Sequence, residues 1–158
     1  MLDVDPGKAT NRTVVTFVGE PEPVIEAAFL AMKKAAELID MRQHHGEHPR
    51  FGATDVCPLV PISGISMEET VTYAQKLAKR AGEELQIPIY LYELAASRPE
   101  RKNLATIRAG EYEGLAAKLK HPDWKPDAGP AEFNESVQKS GVTAVSYTHL
   151  TLPTIGEV

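Results

Sequence analysis

The chain has only one cysteine, Cys57, so no disulfide can form within it. A reducing, cytoplasmic compartment is the simple reading of that scarcity. It also lacks a lysine/arginine block. With a formal net charge of -5, this argues against a nucleic-acid partner and leaves any anionic ligand to locally placed cations or backbone N–H groups. No apolar run approaches membrane-spanning length. The opening MLDVDPGKATNR has no apolar core of a secretory signal. What remains is ordinary for a single cytoplasmic globular domain: 158 residues, 42% hydrophobic and 25% charged.

Along the chain, strand and helix patterns alternate. TVVTFVG (13–19) is rich in β-branched residues and predicts a strand. The stretch 21–41 follows as a helix opened by Pro21 and Pro23, with Val24, Ala27, Ala28, Ala31, Ala35 and Leu38 at helical spacing. VCPLVPI (56–62) suggests a short strand whose prolines favour a sheet edge. Ser66 and Glu69 form a capping-box pattern ahead of Val71, Ala74, Leu77, Ala78, Ala81 and Leu85, a clear amphipathic helix. IPIYLYE (87–93) is the strongest strand, 101–119 a helix interrupted near Gly110, and 121–141 a loop. The alternation predicts an α/β fold (α+β), with helices packed on one face of a small sheet.

The last residues stand apart. VSYTHLTLPT (145–154) resembles a translated sequencing-library adapter. Residues 1–144 are therefore taken as the native domain and 145–158 as a non-native tail, and a real strand is the alternative.

The densest chemistry lies in HHGEHPRFGATDVCP (44–58), with three histidines, two glycines and two prolines in fifteen positions. Pro49 restricts His48 to extended backbone and so sets it on a fixed turn. His45 and His48 would make a metal pair, yet Zn²⁺ sites want three or four ligands and no partner cluster is visible. Under that reading the chain would be a small metal-dependent hydrolase. Arg50 fits either a substrate carboxylate, held in bidentate fashion, or a surface ion pair. Asp5 lies in a D-P-G string that would itself make a tight turn. Asn11 and Arg12 are read as closing the turn before the first strand. Cys57 reads as packing, while Tyr112 and Trp124 either stack on a ligand or pack between helices.

Taken in order, LDVDPGKATNRTVVTFVGEPEP, GEHPRFGATDVCP, GISMEETV, IPIYLYE, IRAGEYEGL, WKPDAGP and GVTAV resemble the N-terminal subdomain of the glutamate formiminotransferase family. The resemblance runs from Leu2 to Ala144. It implies a two-layer ferredoxin-like α/β sandwich, here incomplete, since the family carries a strand and a helix before the LDVD element and a second subdomain after this one. It implies transfer of a formimino group from N-formimino-L-glutamate to N5 of tetrahydrofolate, a step of histidine degradation, in a homodimeric enzyme. Tetrahydrofolate would be a co-substrate, with no tightly bound cofactor and no metal. His48 matches the catalytic histidine and Asp5 the nearby aspartate. Gly129, Pro130, Ala131, Glu132, Phe133 and Gly141 fall on the folate-contacting loop, which departs from the family in length. An inactive folate-binding fragment is the rival from another class.

Overall fold

The computed structural model describes residues 1–148. The first expected strand is half of a hairpin, in which β1 (Asp3–Gly7) pairs antiparallel with β2 (Arg12–Thr16). The turn is not made by Asp5-Pro6-Gly7 but lies at 8–11. There Asn11 adopts φ 49, a left-handed geometry that asparagine tolerates better than most residues. Asp5 stands mid-strand opposite Val14, and Gly7 stands opposite Arg12. All of β2, and β1 apart from Gly7, is exposed.

Helix α1 (Pro21–Leu38) begins at a proline, where a missing N–H is harmless. Its buried face is Ile25, Ala28, Phe29 and Met32. The stripe read from the sequence is rotated away from this face: Leu38 is 75% exposed, while Val24, Ala27 and Ala31 line a groove beside Val15 and Phe17. The reason is size. Ile25, Phe29 and Met32 share one i, i+4, i+7 stripe and carry more apolar area into the core than the alanines do.

Helix α2 (Met67–Glu84) has the full capping box: the Ser66 hydroxyl accepts from the Glu69 N–H at 3.1 Å, and the Glu69 carboxylate accepts from the Ser66 N–H at 2.8 Å. It buries Ala74, Leu77, Ala78 and Ala81 as the pattern predicts.

The sheet is parallel, in the order β3 (Val56–Leu59), β5 (Thr143–Tyr147), β4 (Ile89–Glu93). β3 takes the edge, as its Pro58 requires. Leu59, Leu91 and Val145 meet α1 and α2 on one face. On the other, Tyr90, Tyr92 and Ala144 meet Ile107 of α3 (Leu104–Arg108) and Leu115 of α4 (Leu115–Lys120). The long helices thus share one face, and two short ones cover the second. The result is an α/β fold with small sheets.

Between α3 and α4 the helix breaks as expected, with positive φ at Gly110 and Glu111. The stretch expected as loop to Gly141 contains α5 (Glu135–Ser140), whose Asn134 side chain accepts from the Val137 N–H at 3.0 Å. Strand β5 runs across the boundary drawn between Ala144 and Val145, and all five of its residues are buried. The rest of the expected tail, 149–158, lies outside the described residues.

A buried cation fastens the second face. Arg101 is 1% exposed, lies 3.1 Å from the Asp127 carboxylate, and donates to the carbonyls of Asp123 and Lys125. Its guanidinium also lies near the Tyr90 and Trp124 rings, which meet edge to face. Trp124 is therefore part of the packing, as is Tyr112, which meets Phe133 edge to face and donates to the Gln138 carbonyl at 2.6 Å. Cys57 packs against the α1–α2 core, and burial pushes its thiol up to about 11.

Candidate active site

The segment 44–55 crosses from the hairpin turn to the start of β3. His48 is half-buried on it, between the exposed Glu47 and Pro49. Its Nδ1 lies 2.7 Å from the Pro49 carbonyl oxygen, and its Nε2 lies 2.8 Å from Nη1 of Arg12. A carbonyl oxygen only accepts and a guanidinium only donates. The hydrogen-bond network therefore assigns the proton to Nδ1 and leaves the Nε2 lone pair facing Arg12.

Arg12 opens β2, so the hairpin supplies His48 with its partner. Next to it, the Asn11 amide donates to the His45 carbonyl at 2.8 Å and meets His44 Nδ1 at 3.2 Å. The left-handed Asn11 turn and the histidine stretch are one structure. Both residues were expected only to close a turn. What they touch lies more than thirty positions away, and the only local signal is a polar N-R pair ahead of a strand.

Asp5 makes no hydrogen bond or ion pair with His48. Strand alternation puts it on the same hairpin face as Arg12, because Asp5 pairs with Val14 and Gly7 with Arg12. Its carboxylate is therefore a diagonal neighbour of the guanidinium that contacts His48.

Arg50 is committed elsewhere. Its Nη1 and Nη2 donate to the two Glu113 carboxylate oxygens at 3.0 and 2.7 Å, and Nη2 also reaches the His44 carbonyl at 3.2 Å. Hydrogen bonding from Arg50 holds the Glu113 carboxyl at about 2. Of the two readings, the ion pair is the one formed. It clips the histidine segment to the turn before α4. A second clip joins Arg108 of α3 to Asp55, whose other carboxylate oxygen accepts from the Phe51 N–H at 2.8 Å. The IRAGEYEGL string thus supplies Arg108 and Glu113 as anchors of the segment that carries His48.

The expected folate loop divides. Gly141 joins the histidine segment directly: the Val142 N–H donates to the Phe51 carbonyl at 2.9 Å and the Ala53 N–H to the Ser140 carbonyl at 2.7 Å. Phe133 is linked to it through Tyr112, whose N–H bonds the Arg50 carbonyl. Gly129 instead packs on the Ile87 and Pro88 backbone. Pro130, Ala131 and Glu132 span the interval between these two ends.

Among the described residues, no group of three or more His, Cys, Asp or Glu side chains is placed to hold a metal ion. The guanidinium at Nε2 of His48 further opposes a cation there, which counts against the His45/His48 metal pair. No helix of the described residues is long and apolar enough to cross a membrane.

Residues 1–148 match the formiminotransferase domain, N-terminal subdomain, and the chain belongs to that family. It is 54% identical to the formimidoyltransferase-cyclodeaminase of Dictyostelium discoideum over 147 residues, covering 93% of this chain and 27% of the relative. It is 56% identical to the Rattus norvegicus protein of that name over 133 residues, 84% of this chain and 25% of the relative. With the glutamate formimidoyltransferase of Streptococcus pyogenes serotype M1 the identity is 50% over 145 residues, 92% of this chain and 48% of the relative. The chain spans between about a quarter and about half of the length of these relatives.

Proposed function

We propose that this chain is the catalytic-histidine portion of an enzyme that moves a formimino group from N-formimino-L-glutamate to N5 of tetrahydrofolate. The reading rests on family membership and on one observation above all: Nδ1 of His48 lies 2.7 Å from the Pro49 carbonyl oxygen and Nε2 lies 2.8 Å from Nη1 of Arg12, partners that favour a proton on Nδ1 and a lone pair on Nε2. N5 attacks the formimino carbon and loses a proton as the new C–N bond forms. The departing glutamate nitrogen gains a proton as the old C–N bond breaks. One nitrogen that takes up a proton and gives it back serves both steps, and Nε2 of His48 is that nitrogen. Glutamate and 5-formiminotetrahydrofolate are the products, so the proton count closes without a metal or a tightly bound cofactor. Asp5 steadies the charge that develops on the imidazole. The loop from Gly129 through Glu132 and Phe133 to Gly141 contacts the folate. A homodimeric, cytoplasmic enzyme completes this reading.

The test is a chimaera in which residues 1–148 replace the matching segment of the Streptococcus pyogenes enzyme. It should form 5-formiminotetrahydrofolate only when both substrates are present, and absence of product removes the proposal. In that chimaera Asp5→Asn should lower turnover by about tenfold, the rate equivalent of ~1.4 kcal/mol of lost charge stabilisation in the transition state. Unchanged turnover would release Asp5 from any part in the reaction.

A further inference from the structure

Arg12 is a charged side chain with unused binding capacity. It is exposed, has no carboxylate partner among the described residues, and spends one N–H on His48 Nε2 at 2.8 Å. Two carboxylates on its own hairpin face, Asp3 and Asp5, form no ion pair with it. A guanidinium has five donors in a planar fork suited to a carboxylate, and it never gives up its proton. Left in place, it occupies the lone pair that proton transfer needs. Something must draw it off Nε2 before His48 can act.

We infer that Arg12 is the ligand of the donor's α-carboxylate, and that binding this carboxylate uncaps Nε2 of His48. The inference rests on the proposed role of His48. The choice of carboxylate follows from reach. In an N-formimino amino acid the α-carboxylate sits on the carbon that carries the reacting nitrogen. A guanidinium in hydrogen-bond contact with the catalytic imidazole therefore stands beside that carboxylate. The side-chain carboxylate of formiminoglutamate lies further along the chain, and the carboxylates of tetrahydrofolate lie beyond its aminobenzoyl ring. The carboxylate offers two acceptor oxygens in exchange for one imidazole nitrogen, and a charge-assisted bidentate pair is the stronger bond. Donor binding thus arms the base, and in the empty site the imidazole stays capped. No covalent step is involved, only exchange of hydrogen-bond partners.

Two measurements decide it. In the 158-residue chain, imidazole ¹⁵N NMR follows His48 in the wild type, in Arg12→Gln, and in the wild type with excess sodium L-glutamate, against equal sodium chloride. Arg12→Gln should move the Nε2 resonance, and glutamate should move it in the same direction while chloride does not. An Nε2 that ignores either change overturns the inference. In the chimaera, Arg12→Gln should raise KM for N-formimino-L-glutamate by about tenfold or more, with KM for tetrahydrofolate unchanged and partial rescue by Arg12→Lys. N-formimino-4-aminobutyrate, which lacks the α-carboxylate, should show no such penalty. A loss confined to kcat, or equal for both donors, would contradict the assignment. Failure of the His48 reading is separately visible, because a His48→Ala chimaera would then still turn over.

Discussion

In the chimaera, His48→Ala should lower kcat by about 10²- to 10⁴-fold, the usual contribution of a positioned general acid/base. The loss should appear in kcat rather than in folate binding. His48 is joined to the protein by two hydrogen bonds at the edge of a half-buried turn, and neither holds the core together. Tetrahydrofolate should therefore bind His48→Ala as it binds the wild type, and thermal unfolding should change little. His48→Gln sharpens the result, since glutamine keeps a polar side chain but exchanges no proton near neutrality. Both variants should be equally slow. A glutamine variant with near-normal turnover would mean that His48 only positions the substrate.

Gly52→Ala should have the largest effect on folding. Gly52 forms a bridge with Gly141, and this bridge fastens the histidine segment to the head of β5. A Cβ at position 52 would lie 1.8 Å from the Val142 carbonyl oxygen, and one at Gly141 would lie 2.2 Å from the Phe51 carbonyl oxygen. Both obstacles are backbone, so neither can swing aside as a side chain can. Gly141 also has φ +66, a region that favours glycine. To admit a methyl group the two segments must separate, breaking the Val142-to-Phe51 hydrogen bond. The buried groups left unpaired cost about 1–3 kcal/mol each. The expected loss is about 3–5 kcal/mol, the range of the most disruptive core changes. Denaturant unfolding of the 158-residue chain measures it, and a loss below about 1 kcal/mol would show that the segments yield more easily than their geometry implies. Any folded fraction should also carry a displaced His48, four residues upstream.

Features written into neighbouring residues were legible in the sequence. The Ser66/Glu69 box, the edge position of Pro58, the run of β4 and the break at Gly110 each depend on contacts within a few positions. The face of α1 was missed because its alanines mark two stripes, and only packing decides which one the larger Ile25, Phe29 and Met32 claim. Strand β1 was hidden by Pro6, which reads as a turn but is tolerated in an exposed two-stranded hairpin. The prolines and glycine of 122–130 masked α5, although Asn134 gives it an ordinary cap. The partners of the site were the least visible. Arg12 meets His48 across 36 positions, and Arg50 meets Glu113 across 63. No local pattern encodes such pairs. Of these contacts, the sequence carries only the residue types.

The claim that organises the site is that Nε2, not Nδ1, is the atom of His48 that exchanges the proton. Long-range ¹H–¹⁵N correlation spectra of the neutral imidazole in the 158-residue chain read this directly. The proton is expected on Nδ1, bonded to the Pro49 carbonyl, with a lone pair on Nε2. A His48 that is neutral with its proton on Nε2 would contradict it, because that nitrogen would then have no lone pair to receive the proton of N5.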